Sequence, residues 1–334
     1  MAGNISFEDL CDRASRSRII MVLGKTDTGK STLVRRLSEE IPLTIIDSDI
    51  GQSDIGPPSV VSLGRLVSGV SVMEDGYFVG SVTPAGHFLQ LIAGVSRMVT
   101  HAGDSPIIIN TCGLVTGDMG RALKVEKINS VRPDMLVVID HGNDLSYLDS
   151  FTGLGIDVYR FLPAPMVRVK SRSERLYLRT RAFREHFSNA LVSSVNIDDV
   201  YIERSLLNNG EKIDHSMLPG DLRDQVVHIE MAGSEAMVIF ERAISGLDRI
   251  AASIGADQIQ AFVSDDFLNI VMGVYDESGR FQGLGIIRSI DFGQGRVDVY
   301  SPARQISVLQ LGSIKLDPDY YLTSGQFKPI TYRQ

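Results

Sequence analysis

From residue 18 to about residue 165, short apolar runs alternate with amphipathic stretches. The runs Arg18–Leu23, Leu43–Asp47, Pro106–Asn110, Met135–Asp140 and Val158–Leu162 predict strands, and Ser31–Glu40, Phe88–Ala102 and Asp118–Ser130 predict helices. That alternation predicts an α/β region, a parallel sheet with helices on both faces. Ligands then sit at the carboxyl ends of the strands. Ser53–Val79, rich in Gly, Ser, Pro and Val, predicts a long loop or small hairpin insertion. From it Gly80-Ser81-Val82-Thr83-Pro84 returns toward the same edge, where long loops often hold substrate.

After about residue 195 the pattern changes. Val226–Glu230, Ala236–Phe240, Gln260–Val263, Leu268–Tyr275, Gly283–Ile290 and Arg296–Tyr300 predict short strands. Turn signals such as Asp276-Glu277-Ser278-Gly279 and Phe292-Gly293-Gln294-Gly295 join several of them, which predicts a small antiparallel sheet or barrel. The expected organisation is a partly helical leader over 1–17, an α/β domain over 18–195 and a small β-rich C-terminal domain over 196–334.

Composition narrows the class. At 334 residues, 43% hydrophobic and 22% charged, the chain has room for two globular cores. A net charge of −8 confines any nucleic-acid contact to a local basic patch. Two cysteines, Cys11 and Cys112, are too few for a disulfide framework. The acidic N-terminus is no signal peptide, and no run approaches the length of a membrane span, so the expected setting is cytoplasmic with no membrane contact. The histidines, at 87, 101, 141, 186, 215 and 228, lack metal-ligand spacing.

The chemistry is concentrated in Gly24-Lys25-Thr26-Asp27-Thr28-Gly29-Lys30-Ser31, which fits G-x-x-x-x-G-K-[ST] between a predicted strand and a predicted helix. Gly24 and Gly29 let backbone N–H groups turn around an anion, and the helix N-terminus adds partial positive charge. Lys30 would reach the terminal phosphates and Ser31 a magnesium ion, so the fold becomes that of a P-loop NTPase.

Such enzymes need a carboxylate at a neighbouring strand end. Ser105–Gly113 offers Asn110 where a GTPase has Asp, and hard cations favour carboxylate oxygens. No Asn-Lys-x-Asp guanine-reading motif is present. Leu43–Ile50 instead ends in Asp47-Ser48-Asp49, whose carboxylates would point the same way if extended. One can sit near magnesium while the other faces a nucleophile, with Gln52 orienting water or metal. Asp49 is the stronger candidate for base or metal carboxylate. Asp47 is a metal candidate, with a solvated strand end or a hydrogen-bond partner of the P-loop as the lesser alternative.

Residues 167–186 form a basic run in an acidic chain. If helical, Leu176, Phe183 and Phe187 form its buried stripe, with Arg172, Arg175 and Arg179 along one flank. Such arginines suit a transferring phosphoryl group, where one is worth roughly a thousandfold or more in rate, and equally suit a nucleic-acid backbone.

Together GKTDTGKS, DSDIGQ, NTCGLVTG and the basic helix resemble the polynucleotide 5′-hydroxyl kinases, with eukaryotic relatives in pre-mRNA 3′-end cleavage, tRNA splicing and ribosomal-RNA processing. The motifs span roughly residues 16–190. Gly273-Val274-Tyr275-Asp276 and Gly283-Leu284-Gly285-Ile286 extend the resemblance to that family's small β domain. It implies that Gly24, Thr26, Asp27, Thr28, Gly29, Lys30, Ser31 and Thr32 hold ATP and its magnesium. Asp49 would be the general base toward the 5′-hydroxyl, and Gln52 would support the metal or its waters. Thr111, Gly113 and Leu114 occupy the family's Thr-x-Gly-Trp clasp. The arginine helix, about 170–187, would be a lid with Arg175 as its catalytic arginine and Arg172 and Arg179 toward substrate.

Three positions depart from that pattern. Leu114 replaces the clasp Trp and removes base stacking worth about 1–3 kcal/mol. Lys170 stands where a second lid arginine is expected. The separate N-terminal domain of eukaryotic members is expected to be absent, since the P-loop begins almost at once.

The expected activity is ATP- and magnesium-dependent transfer of the γ-phosphate to the 5′-hydroxyl end of RNA or DNA; the sequence names no protein partner. An ATP-binding assembly or scaffold protein is the alternative that Leu114 favours. A dimerising P-loop ATPase switch is favoured only by Lys25, since the glycine pair that follows the signature lysine of those proteins is Thr26-Asp27 here.

Overall fold

Ile19–Gly24 (β1) is six residues long and buried throughout, as a strand covered on both faces must be. The computed structural model describes residues 6–164 and 168–333. The first five residues of the predicted leader and Val167, where the basic run begins, lie outside them. The chain divides into two compact units, Met1–Phe183 and Arg184–Gln334.

In the first unit, α1 (Phe7–Ser15) precedes β1, and α2 (Lys30–Glu40) follows it. Next come β2 (Thr44–Ser48), β3 (Val60–Val67), β4 (Val70–Phe78), α3 (Phe88–His101), β5 (Ile107–Thr111), α4 (Gly117–Val131), β6 (Met135–Ile139), β7 (Asp157–Phe161) and α5 (Arg172–His186), whose last turn crosses into the second unit. The strand order is β4-β3-β2-β5-β1-β6-β7. β2, β5, β1, β6 and β7 are parallel, and β3 and β4 add antiparallel strands at one edge. The Ser53–Val79 stretch is thus a hairpin that widens the sheet. Ser68 (φ 52°) and Gly69 (φ 78°) make its two-residue turn, both in the left-handed region that such turns require.

Side-chain alternation along the strands builds two cores. Ile20, Val22, Ile45 and Ile108 pack with Leu10, Val34 and Leu37 on the face of α1 and α2. Met21, Leu23, Ile46 and Ile109 pack with Leu91, Val95, Met98, Leu123 and Ile128 on the face of α3 and α4. Asp47 and Asn110, in register on β2 and β5, follow Ile45 and Ile108 by two residues and so share the α2 side. Ser48 belongs to the opposite side.

The second unit corrects the expectation of one small antiparallel sheet or barrel. Its strands are β8 (Leu191–Asn196), β9 (Tyr201–Glu203), β10 (Glu211–Lys212), β11 (Val226–Ala232), β12 (Glu235–Phe240), β13 (Gln258–Val263), β14 (Ile270–Tyr275), β15 (Phe281–Asp291), β16 (Arg296–Ser301), β17 (Val308–Leu316), β18 (Leu322–Gln326) and β19 (Ile330–Arg333). They form two sheets, β10-β11-β12-β13-β19 and β18-β17-β14-β15-β16-β8, with β9 beside β17. β12 and β13 are parallel because α6 (Leu247–Ile254) carries the chain across, burying Ile250, Ala251 and Ile254. β8, included above in the α/β region, pairs with β16. Among the described residues no helix is long and apolar enough to cross a membrane.

Candidate active site

β1 delivers its last residue, Gly24, where a Cβ would lie 2.7 Å from both the Ile139 carbonyl oxygen and Thr28 Oγ1, so only glycine fits. Asp27 (φ 55°) and Gly29 (φ 95°) are left-handed and turn the loop back on itself. No side chain caps the start of α2, and its first turn holds no acid, so its leading N–H groups and partial positive charge face an anion site. Thr28 Oγ1 and Lys30 Nζ both donate to the Lys25 carbonyl, at 2.9 and 2.6 Å. Lys30 is only 6% exposed, and burial pulls its ammonium down to about 8 while Asp49 opposes the shift. Lys25 itself turns outward to Asp144, 2.5 Å away.

A cavity of about 400 Å³ opens over this loop, lined by Thr26, Asp27, Gly29, Lys30, Ser31, Thr32, Asp49, Gln52, Ala164, Arg168 and Lys170, among others. The Asp49 carboxylate closes its own turn, as Oδ1 accepts from the Gly51 and Gln52 amides at 3.3 and 3.2 Å. Gln52 Nε2 donates to the Gly51 and Arg175 carbonyls, leaving Gln52 Oε1 buried without a partner.

The expectation that Asp47 and Asp49 point the same way is corrected. β2 ends at Ser48, so the alternation of an extended strand stops before Asp49. Asp47 lines a separate cavity of about 280 Å³ with Ser31, Asp54, Ile55 and Asn110. There its carboxylate accepts from the amides of Asp49, Asp54 and Ile55, from Ser53 Oγ and from Asn110 Nδ2. Burial and the neighbouring Asp54 and Asp49 push the Asp47 carboxyl up. Asp47 thus organises the 49–55 loop. Asn110 also donates to Ser31 Oγ at 3.3 Å, and Asn110 Oδ1 is buried without a partner.

α5 supplies the arginines. Arg179 Nε donates to the Gly51 carbonyl at 3.1 Å, and burial lowers its guanidinium from the ordinary value against the opposing Asp49. Arg175 pairs with Asp27 of the P-loop, whose Oδ2 also accepts from the Lys170 amide at 3.1 Å. Arg175 Nε is buried without a partner. The predicted stripe is corrected at one end: Thr180 and Phe183 are buried, but Leu176 is 39% exposed. The reason is that Arg175 and Arg179, not leucine, occupy the turn of the helix nearest the loops. Arg172, the first residue of α5, is exposed.

The clasp-like segment lies against the P-loop. Thr111 Oγ1 donates to the Val22 carbonyl at 2.8 Å, inside the sheet. A Cβ on Gly113 would stand 2.4 Å from the Thr26 amide nitrogen, so glycine is required there too. Leu114 packs half-buried on the α3/α4 core. The structure therefore gathers the P-loop, Asp49, Gln52, Arg175 and Arg179, whereas Thr111 and Leu114 turn into the sheet and core. Sequence reasoning missed Lys124 and Lys127, both fully buried on α4. Their signal was present: Gly120, Leu123, Lys124, Lys127, Ile128 and Val131 make one helical stripe.

A phosphate-binding loop on a parallel sheet, with a carboxylate turn and helix-borne arginines at the same edge, defines a P-loop phosphotransferase. The family model for the P-loop region of mRNA cleavage and polyadenylation factor CLP1 matches residues 24–189. The chain is 30% identical over 319 residues to a polyribonucleotide 5′-hydroxyl-kinase of Pyrococcus abyssi, covering 90% of this chain and 88% of that one. It is 28% identical over 318 residues to a similarly named kinase of Pyrococcus horikoshii, covering 90% and 86%. Among solved structures, the wild-type Clp1p–Pcf11p complex matches with a TM-score of 0.62 at 11% identity, over 92% of this chain and 78% of that one, which shows a shared fold. The chain belongs to the polynucleotide 5′-hydroxyl-kinase family.

Proposed function

We propose that the chain transfers the γ-phosphate of ATP to the 5′-hydroxyl end of a polynucleotide, with RNA as the first substrate to test because the Pyrococcus relatives are named for it. The observation that carries this reading is the Asp49–Gln52 turn on the P-loop cavity, bonded to Arg175 and Arg179 of α5. Asp49 takes the hydroxyl proton, while Lys30 and the arginine side chains face the charge spread over the phosphoryl oxygens. Little covalent chemistry falls to the protein; it positions and neutralises.

Magnesium suits the donor set. Ser31 Oγ, Asp49 and the unpartnered buried oxygen Gln52 Oε1, all on the P-loop cavity, are oxygen donors of the kind a hard cation or its waters engage. When bound, the ion would neutralise charge on the β- and γ-phosphate oxygens.

The deciding experiment offers γ-labelled ATP with 5′-hydroxyl RNA, 5′-hydroxyl DNA and a 5′-phosphorylated RNA. Label on the hydroxyl ends alone supports the proposal. ATP binding without label on any oligonucleotide favours the second reading, an ATP-holding assembly protein. That reading draws on Leu114, which is committed to the core and leaves no aromatic at the clasp position for base stacking.

Two further outcomes follow from the geometry. Phosphates favour the charged form of Lys30 and so raise again what burial lowered to about 8. ATP binding at about pH 8.5 should then take up a proton, and affinity should fall as pH rises through that region. Calorimetry in two buffers of different ionisation enthalpy reads the uptake; proton release would contradict it. Separately, incoming phosphates compete with Asp27 for Arg175 and are repelled by its carboxylate. Asp27→Asn should tighten ATP binding by about fivefold, roughly 1 kcal/mol, in direct titration. Weakened binding would show that Asp27 shapes the loop rather than holding the arginine back.

A further inference from the structure

Two buried lysines stand outside the reaction described above. Lys124 and Lys127 are 0% exposed, on the stripe of α4 that faces the sheet. Lys124 Nζ donates to the Cys112 carbonyl at 2.7 Å, holding the end of β5. Lys127 Nζ donates to Ser48 Oγ at 3.0 Å, and Ser48 Oγ in turn donates to the Asn110 carbonyl at 2.7 Å. Ser48 is the last residue of β2, and the next residue is Asp49.

Burying an ammonium is costly, and an apolar chain of similar volume would fill the stripe without that cost. A second ammonium one turn away adds repulsion. Burial and Lys124 together pull Lys127 down to about 7, against Cys112, Asp49 and Asp47, which favour its charge. The compensation is at the strand end. Asp47 holds the Asp49 amide from the α2 side at 3.0 Å, and Arg179 holds the Gly51 carbonyl. Lys127 is the anchor from the opposite, α4 side of the sheet.

We propose that Lys127 is a positioning residue for Asp49: through Ser48 it fixes the end of β2, so that the turn that follows presents the Asp49 carboxylate to the P-loop cavity. The catalytic part of this inference rests on the kinase reading; the structural part does not. Misplacing a reacting group by about 1 Å costs roughly a hundredfold in rate, so a support of this kind acts on kcat rather than on nucleotide binding.

Lys127→Met, Ser48→Ala and the double variant test it. Three quantities are measured on each: amide hydrogen exchange at Gly51 and Gln52, which donate to Asp49 Oδ1; the urea midpoint; and kcat with the KM for ATP. Lys127→Met should exchange at least tenfold faster at those two amides with the urea midpoint unchanged or raised. Its kcat should fall by about ten- to a hundredfold at constant KM, and the double variant should be no worse than the poorer single one. Wild-type exchange at Gly51 and Gln52 in Lys127→Met overturns the inference, as do fully additive losses or a kcat that only follows global stability. Were the wild-type chain to transfer no phosphate, the kinase reading would fail while the exchange rates still decided whether Lys127 supports the turn.

Discussion

Asp49→Asn is expected to lower kcat for phosphate transfer by roughly 10²- to 10⁴-fold, the range of a positioned general base, while ATP affinity stays within about threefold. The substitution is a clean one. An amide oxygen can still accept from the Gly51 and Gln52 amides, so the turn keeps its shape, but it cannot take a proton from the hydroxyl. The neighbouring Asp47→Asn is the control. Its carboxylate accepts from four donors of the 49–55 loop and from Asn110, so that change should appear first as lost stability. Steady-state kinetics and thermal unfolding on both variants separate the roles. Activity within tenfold of wild type in Asp49→Asn would remove it as the base.

The contrast between these two aspartates marks how far the sequence could carry the reading. Strand and helix positions in the first unit were legible because apolar runs and glycine-bounded turns depend on near neighbours. The phosphate loop was legible because its function needs backbone conformations that only certain residues adopt, as at Gly24 and Gly29. The division of labour between Asp47 and Asp49 was not, because it depends on β2 stopping at Ser48 rather than continuing one residue further. Which donors surround a carboxylate is likewise a long-range matter: Asn110 reaches Asp47 from a strand 63 positions on. In the second unit the runs that form β12 and β13 predict strands of an antiparallel sheet, but α6, only Leu247–Ile254, makes their connection a crossover and the pair parallel. The buried lysines of α4 fell between these cases. Their spacing placed them on the apolar stripe, but long cationic side chains on such a stripe commonly run to its edge and reach solvent.

Arg175→Ala is expected to cost about 10³-fold or more in kcat, the scale on which a single arginine stabilises a transferring phosphoryl group. Its guanidinium is held by Asp27, and Nε is a buried donor without a partner. A terminal phosphate supplies acceptors for both, exchanging an ion pair within the chain for one with the developing charge. The backbone of Arg175 has a separate task, accepting from Gln52 Nε2 at 3.1 Å, and truncating the side chain leaves that bond in place. The loss should therefore fall mainly on kcat, with a smaller rise in the KM for ATP because Asp27 is left unpaired beside the phosphates. Arg175→Lys should recover less than a tenth of the lost activity, because a point charge cannot reproduce the planar fork. Arg179→Ala should behave differently. Its Nε holds the Gly51 carbonyl, so its removal should speed amide exchange across the Asp49–Gln52 turn as well as slow transfer. Single-turnover rates beside exchange data distinguish the two arginines. If Arg175→Ala keeps near-wild-type turnover while Arg179→Ala loses it, the catalytic arginine is Arg179 and the Asp27 pair is a fastening of α5 to the loop.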